Sequence, residues 1–174
     1  MHVKPHQNHF PPHFGEYIDS VPEGDLILLL LEQEQEVLEW FSPLQEQDSL
    51  FRYSEGKWSL KEVLGHIVDT ERIMSYRMLV AGRGDKTPLP RHHDIYVSKT
   101  SFDRRPIADL IAEFRTVRAS TLSLVRGLTD EELKQSGLLN EVETTATAFA
   151  YFILGHAHHH LRIVRERYFP HLPL

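Results

Sequence analysis

The chain has 174 residues, enough for one domain with a real core, and at 41% hydrophobic and 25% charged it is ordinary for a globular protein. Nineteen basic against 25 acidic residues give a formal charge of −6, with no basic stripe, which argues against a nucleic-acid partner. There is no cysteine, so disulfides, thiolate ligands and a protein-borne thiol nucleophile are excluded.

Purely apolar runs such as Leu26–Leu31 are far short of the roughly 18 residues a membrane span requires. The start, Met1-His2-Val3-Lys4-Pro5, lacks the apolar core of a signal peptide. The expectation is an intracellular, cytoplasmic protein with no membrane partner.

Residues 1–22 carry Pro5, Pro11, Pro12 and Pro22 and histidines at 2, 6, 9 and 13. Prolines forbid a continuous helix, so this segment reads as an extended, solvated arm in front of a domain spanning 23–170. A first helix is expected from Glu23 to Phe41 on the stripe Leu26, Leu29, Leu30, Val37, Leu38 and Phe41. A polar connector, 42–58, ends in Gly56-Lys57-Trp58. Ser59-Leu60-Lys61-Glu62 then forms a capping box that starts a second helix. Val63, His66, Ile67, Thr70 and Met74 make its inward stripe, and Gly82 and Gly84 stop it.

From Gly82 to Arg105 no helical period appears. A loop this long is expected to fold over the mouth of a site. A third helix follows Pro106, with Ile107, Leu110, Ile111, Phe114, Val117, Thr121, Leu124 and Val125 on its apolar face, and ends at Gly127. Thr129 and Glu132 cap a short turn, and Gly137 and Asn140 mark another loop. A fourth helix runs from Thr145 to Tyr168, almost wholly apolar through Leu154, and Pro170 stops it. Four long helices and no convincing strand make the fold class all-α, with an antiparallel four-helix bundle the economical arrangement.

Four of the 12 histidines lie in Gly155-His156-Ala157-His158-His159-His160. Residues four apart on a helix share a face, about 6 Å apart along the axis, so His156 and His160 point the same way. Two imidazoles at that spacing close on one metal ion, and a site needs a third ligand. His66, on the inward stripe of the second helix, is the candidate. A lone histidine on an apolar face is ordinarily a core residue with one hydrogen bond. Several buried together cost desolvation unless each nitrogen finds a partner, and an ion supplies it for three at once.

His156 with His159 is an alternative same-face pair, and His158 points about 200° away from His156. All-imidazole ligation suits Zn²⁺, Ni²⁺, Fe²⁺ or Cu²⁺. Three neutral ligands leave the ion open to water or a thiol. Asp69, one turn after His66, is a candidate base or ring-orienting group. Glu62 is better explained by its capping box, and Arg72, Arg77 and Tyr96 are candidate pocket residues.

Gly56-Lys57-Trp58-Ser59, His66-Ile67-Val68-Asp69-Thr70-Glu71-Arg72, Tyr76-Arg77, Gly155-His156-x-x-His159-His160 and Arg165-Glu166-Arg167-Tyr168 resemble the DinB superfamily, most of all its YfiT-like branch of metal-dependent hydrolases. The likeness spans about 15–169. It implies an up-down-down-up four-helix bundle, often a homodimer, with a three-histidine site for nickel or zinc. It maps the ligands to His66, His156 and His160, and His159 to the adjacent histidine that is not a ligand. It further implies a small-molecule substrate. Relatives conjugate or isomerise with a low-molecular-weight thiol such as bacillithiol or mycothiol, and many others have no known activity.

Two positions depart from the branch. His92-His93-Asp94-Ile95-Tyr96 stands where Phe-Asp-x-x-x-Tyr is usual, and Ala157 stands where Glu is frequent. The expected function is a metal-dependent enzyme that activates a thiol or water for attack on a small electrophile, as a thiol S-transferase or hydrolase. The alternative is a non-enzymatic metal-binding, stress-response helical dimer, with His92 or His93 closing the ion's coordination.

Overall fold

A computed structural model describes residues 4–90 and 94–172. Four long helices form the body: α2 (Leu26–Phe41), α3 (Leu60–Gly82), α4 (Ile107–Gly127) and α6 (Ala146–Ile163), with the short helices α1 (Gly15–Asp19) and α5 (Asp130–Lys134) beside them. Around the bundle the order is α2, α4, α3, α6. Among the described residues no helix is long and apolar enough to cross a membrane.

Each of the four long helices begins beside a side chain that accepts from a free N–H group of its first turn. Asp25 caps α2, accepting from the amides of Ile27 and Leu28, and Thr145 caps α6. Ser59 with Glu62, and Thr129 with Glu132, form the two expected capping boxes. Pro106 offers α4 no such group; Glu46 from the α2–α3 connector accepts from the Ile107 amide instead, at 3.0 Å. Helix α6 ends in a π turn, Val164–Tyr168.

The direction of each helix follows from its contacts. Gly82, at the end of α3, packs on Leu128 just beyond α4, and Phe102, just before α4, packs on Gly65 near the start of α3. The neighbours α3 and α4 are therefore parallel. Gln33 of α2 meets Leu154 of α6, and Trp40 meets Phe169, so α2 and α6 run together too. The result is up-down-down-up.

This connectivity explains the long segment between α3 and α4. Parallel neighbours must be joined by a chain that travels back along their whole length, about 30 Å for a helix of this size. The described part of that crossover runs along the outside of α3 and does not line the histidine cavity. His92 and His93, the crossover histidines singled out from sequence, lie outside the described residues.

Two expectations are revised. The N-terminal segment is not a solvated arm: Phe10, Phe14, Ile18 and Val21 are all buried in the core beside α6. Their spacing of four, four and three is that of a helix face, carried through the prolines by short helical turns. The loop marked by Gly137 and Asn140 is a hairpin, β1 (Ser136–Leu139) with β2 (Val142–Thr145), paired from Ser136↔Thr145 to Leu139↔Val142. Asn140 and Glu141 both have positive φ, 49° and 69°, as a two-residue type I′ turn requires.

At the centre Arg118 of α4 is fully buried. Its Nε and Nη2 donate to the two oxygens of Glu71 of α3, each at 2.8 Å, and it also donates to the Leu30 carbonyl and the Gln33 side chain of α2. Gln33 in turn donates to the Leu154 carbonyl of α6 at 2.8 Å. Replacing one member of such a pair leaves the other charge buried and unpaired. Arg118→Met should lose about 3–5 kcal/mol in urea unfolding, and adding Glu71→Leu should recover part of that loss.

Candidate metal centre

The three histidines expected from sequence come together. His66 and His156 are buried, and His160 is partly so. The Nε2 atoms of His66 and His156 stand 3.0 Å apart, those of His156 and His160 3.2 Å, and ligand atoms of all three residues lie within 4.8 Å of one another. The ring centroids form a near-equilateral triangle with sides of 4.8, 4.8 and 4.6 Å. Zinc–imidazole bonds of about 2.0–2.1 Å place cis nitrogens roughly 3.0–3.4 Å apart, so two of the three edges already have the spacing a divalent ion imposes.

Helix geometry supplies this arrangement. The four-residue step stacks His160 over His156, and antiparallel packing of α3 on α6 presents His66 to both. On the outer side of α3, Gly65 lets the crossover lie close: a Cβ there would meet the Phe102 ring at 2.5 Å. Trp58 rests against His66, ring centroids 4.7 Å apart, and stacks at 6.1 Å on His160. The buried Tyr168 hydroxyl fixes the segment by donating to the Trp58 carbonyl at 2.8 Å.

The cluster faces a cavity of about 310 Å³. Thr70 and Met74 of α3 and Phe152 and His159 of α6 continue its walls. His13, Phe14 and Tyr17 come from the N-terminal segment, and Leu139 and Asn140 from the hairpin. Sequence reasoning assigned none of these last five residues to the site. The apolar period through Phe10, Phe14 and Ile18 was the available signal for the N-terminal wall; the hairpin contribution depends on tertiary packing. Among the described residues, no carboxylate, lysine or arginine lines the cavity.

The other candidates sit elsewhere. Asp69 faces α4, where its carboxyl is pushed up by burial, partly offset by Arg72 at 3.6 Å. Arg72 itself pairs with Glu113 at 2.6 Å. Glu62 is occupied by its capping box and by Arg52 at 2.5 Å. Arg77 is buried toward the crossover and donates to the Pro90 carbonyl; its charge is disfavoured by burial and favoured by nearby Tyr96. His158 points away from the cluster, toward Glu36 at 4.0 Å.

His160 is held well below the usual histidine range, first by burial and then by the neighbouring His66 and His159. It is therefore poised as a neutral ligand. The unfolded chain takes up this proton more readily than the folded one, so acidification below the ordinary value of about 6.5 draws on folding stability. Metal-free protein should lose stability as pH falls from 7.5 toward 5.5. Urea midpoints measured across that range should flatten in His160→Gln.

Backbone contact fixes the cavity's N-terminal wall. The Tyr17 carbonyl sits so close to Gly155 that a Cβ there would lie 2.0 Å from its oxygen. Phe14 stacks on Phe152 at 3.8 Å beside this contact. Gly155→Ala must push α1 off α6, with an expected loss of about 1–3 kcal/mol. Limited proteolysis of the variant should cut within the first 25 or so residues, where the parent chain resists.

Fold and site together define a class: a four-helix bundle with parallel neighbours in the middle of the chain and an open three-histidine cluster. The chain belongs to the DinB superfamily, whose sequence model matches residues 29–164. Among solved structures it is similar to YfiT from Bacillus subtilis, described as a probable metal-dependent hydrolase with an unusual four-helix bundle topology. That match has a TM-score of 0.72 and 16% identity over 94% of this chain and 90% of that one. It is also similar to a mycothiol-dependent maleylpyruvate isomerase, with a TM-score of 0.66 and 12% identity over 83% of this chain; it spans 61% of that longer protein. No curated protein matches the sequence.

Proposed function

We propose that the chain is a metal-dependent enzyme in which His66, His156 and His160 hold one divalent ion, nickel or zinc, through their Nε2 atoms. The observation that carries this reading is the convergence of three imidazole nitrogens, at 3.0 and 3.2 Å along two edges, on the wall of a cavity. A neutral imidazole carries a single N–H, so a proton can bridge two of these nitrogens at a time, whereas one cation accepts the lone pairs of all three. When bound, such an ion lowers the pKa of a ligated thiol or water and polarises an electrophile.

The chain's own residues define the rest. Trp58, Phe14, Phe152 and Met74 exclude water from part of the cavity, while Thr70 and Asn140 offer neutral hydrogen-bonding groups to a substrate. Since the chain has no cysteine, a thiol nucleophile must arrive as a small cosubstrate. The reaction class is thiol S-transfer or hydrolysis of a small electrophile. The similarity to a mycothiol-dependent isomerase supports thiol chemistry, and that to a probable metal-dependent hydrolase supports water as nucleophile.

One observation favours the non-enzymatic alternative. His13 and His159 line the same cavity and could complete a closed coordination shell. The cobalt-loaded protein separates the two readings, because its visible spectrum reports coordination number and exchangeable ligands. The proposal expects one ion per chain, an affinity at least 100-fold lower in each of His66→Ala, His156→Ala and His160→Ala, and a spectrum that shifts on adding azide or a thiol. A spectrum indifferent to both, and restored to openness by His13→Ala or His159→Ala, would establish the closed site.

A further inference from the structure

A second cavity adjoins the histidine cavity and shares two walls with it. It is a surface groove of about 630 Å³ between α1, α2 and α6. Tyr17 and His159 line both spaces, and their rings meet edge to face at 5.4 Å. His159 in turn touches His160, ring centroids 5.2 Å apart. One layer of two rings therefore separates the groove from the three-histidine cluster.

The walls of this groove carry opposite charges. Arg162 of α6 and Arg165 of the π turn that follows it both line the groove. Helix α1 contributes Glu16 and Asp19, and α2 contributes Glu36. Opposite charges facing one another across a protein surface ordinarily close into pairs. Arg52, Arg72 and Arg83 all do so here, with Glu62, Glu113 and Glu132. Among the described residues, Arg162 and Arg165 form no ion pair, and neither do Glu16 and Asp19. Glu36 approaches only His158, at 4.0 Å. Cationic and anionic walls thus remain apart across a space large enough for a small molecule, which Trp40 also lines.

We propose that this groove binds the body of a small zwitterionic cosubstrate, one bearing both an ammonium and a carboxylate. The carboxylate meets the planar guanidinium forks of Arg162 and Arg165, and the ammonium meets Glu16 and Asp19. The reactive end of the molecule lies against the Tyr17–His159 partition, whose touching rings must part to admit it to the three histidines beyond. What it does there rests on the function proposed above; recognition of the zwitterion by the groove does not.

Three probes test this: the tripeptide thiol glutathione, S-methylglutathione, whose sulfur is blocked, and the uncharged thiol 2-mercaptoethanol. The variants are Arg162→Ala/Arg165→Ala and, separately, Glu16→Gln/Asp19→Asn. Both change exposed charges outside the cluster, and unchanged thermal melts establish that they fold. By calorimetry S-methylglutathione should bind the parent protein and bind each variant at least tenfold more weakly. In the cobalt form, glutathione should shift the visible spectrum at concentrations at least tenfold lower than 2-mercaptoethanol, and the arginine variant should abolish that advantage while leaving the 2-mercaptoethanol response unchanged.

Absence of S-methylglutathione binding, or equal binding to parent and variants, overturns the groove proposal and marks these charges as an ordinary solvated surface. Arginine-dependent binding with no spectral response to any thiol upholds zwitterion recognition by the groove and overturns the thiol reading of the metal centre. The two failures are therefore separately visible.

Discussion

The bundle is organised around a buried ion pair. Arg118 and Glu71 join α4 to α3 by two parallel hydrogen bonds, and the remaining donors of Arg118 reach α2. Through Gln33 the same network ends on the backbone of α6, at Leu154. A charge pair removed from water adds little net stability over an apolar core of the same shape, but it penalises every arrangement that leaves either charge unpaired. What it supplies here is register. Glu71 lies five residues from His66 and Leu154 two from His156, so sliding either helix by one turn would break the network and separate the imidazoles together.

The cavity is assembled from parts distant in sequence. Its floor belongs to α3 and α6, one wall to the N-terminal segment and another to the hairpin between α5 and α6. Parallel placement of α3 and α4 makes this possible, because the described part of the crossover packs along α3 away from the cavity. The inner end of the site is left to be closed by Trp58 and by α1 resting on Gly155. Glycine is required at 155 because the two backbones touch there, which a helix-propensity argument would never reveal.

Much of this was legible in the sequence, and the legible features share a cause. Capping boxes, apolar periods and the four-residue step between His156 and His160 are local, so spacing alone expresses them. His66 could be added because its stripe showed that it faced inward. The buried pair was not legible: Arg118 lies among the exposed-looking charges of α4, and nothing in spacing separates a hub arginine from a solvated one. The N-terminal wall is masked in the sequence by prolines that break up the period of Phe10, Phe14, Ile18 and Val21. Those prolines interrupt the helix without turning the apolar face away from the core. The hairpin escaped notice because Glu141 holds a positive φ that favours glycine or asparagine, so only half of the turn's usual signal was present.

The chemistry of the cavity narrows what such a site would bind. Under the proposed reading its ligands are three neutral imidazoles, and no described lining residue carries a carboxylate to offset a divalent charge. Two positive charges facing a partly apolar cavity would be poorly compensated, which favours an anionic donor as the completing ligand: hydroxide, thiolate or the oxyanion of a substrate. The same absence leaves no fixed anion lining the histidine cavity itself, among the described residues, to repel such a donor. The cation-bearing wall of the outer groove stands on the far side of His159, where it attracts negative charge without competing for the ion. Neutral within and charged at the approach, the arrangement would, under the proposed reading, separate recognition of a polar molecule from activation of its reactive atom.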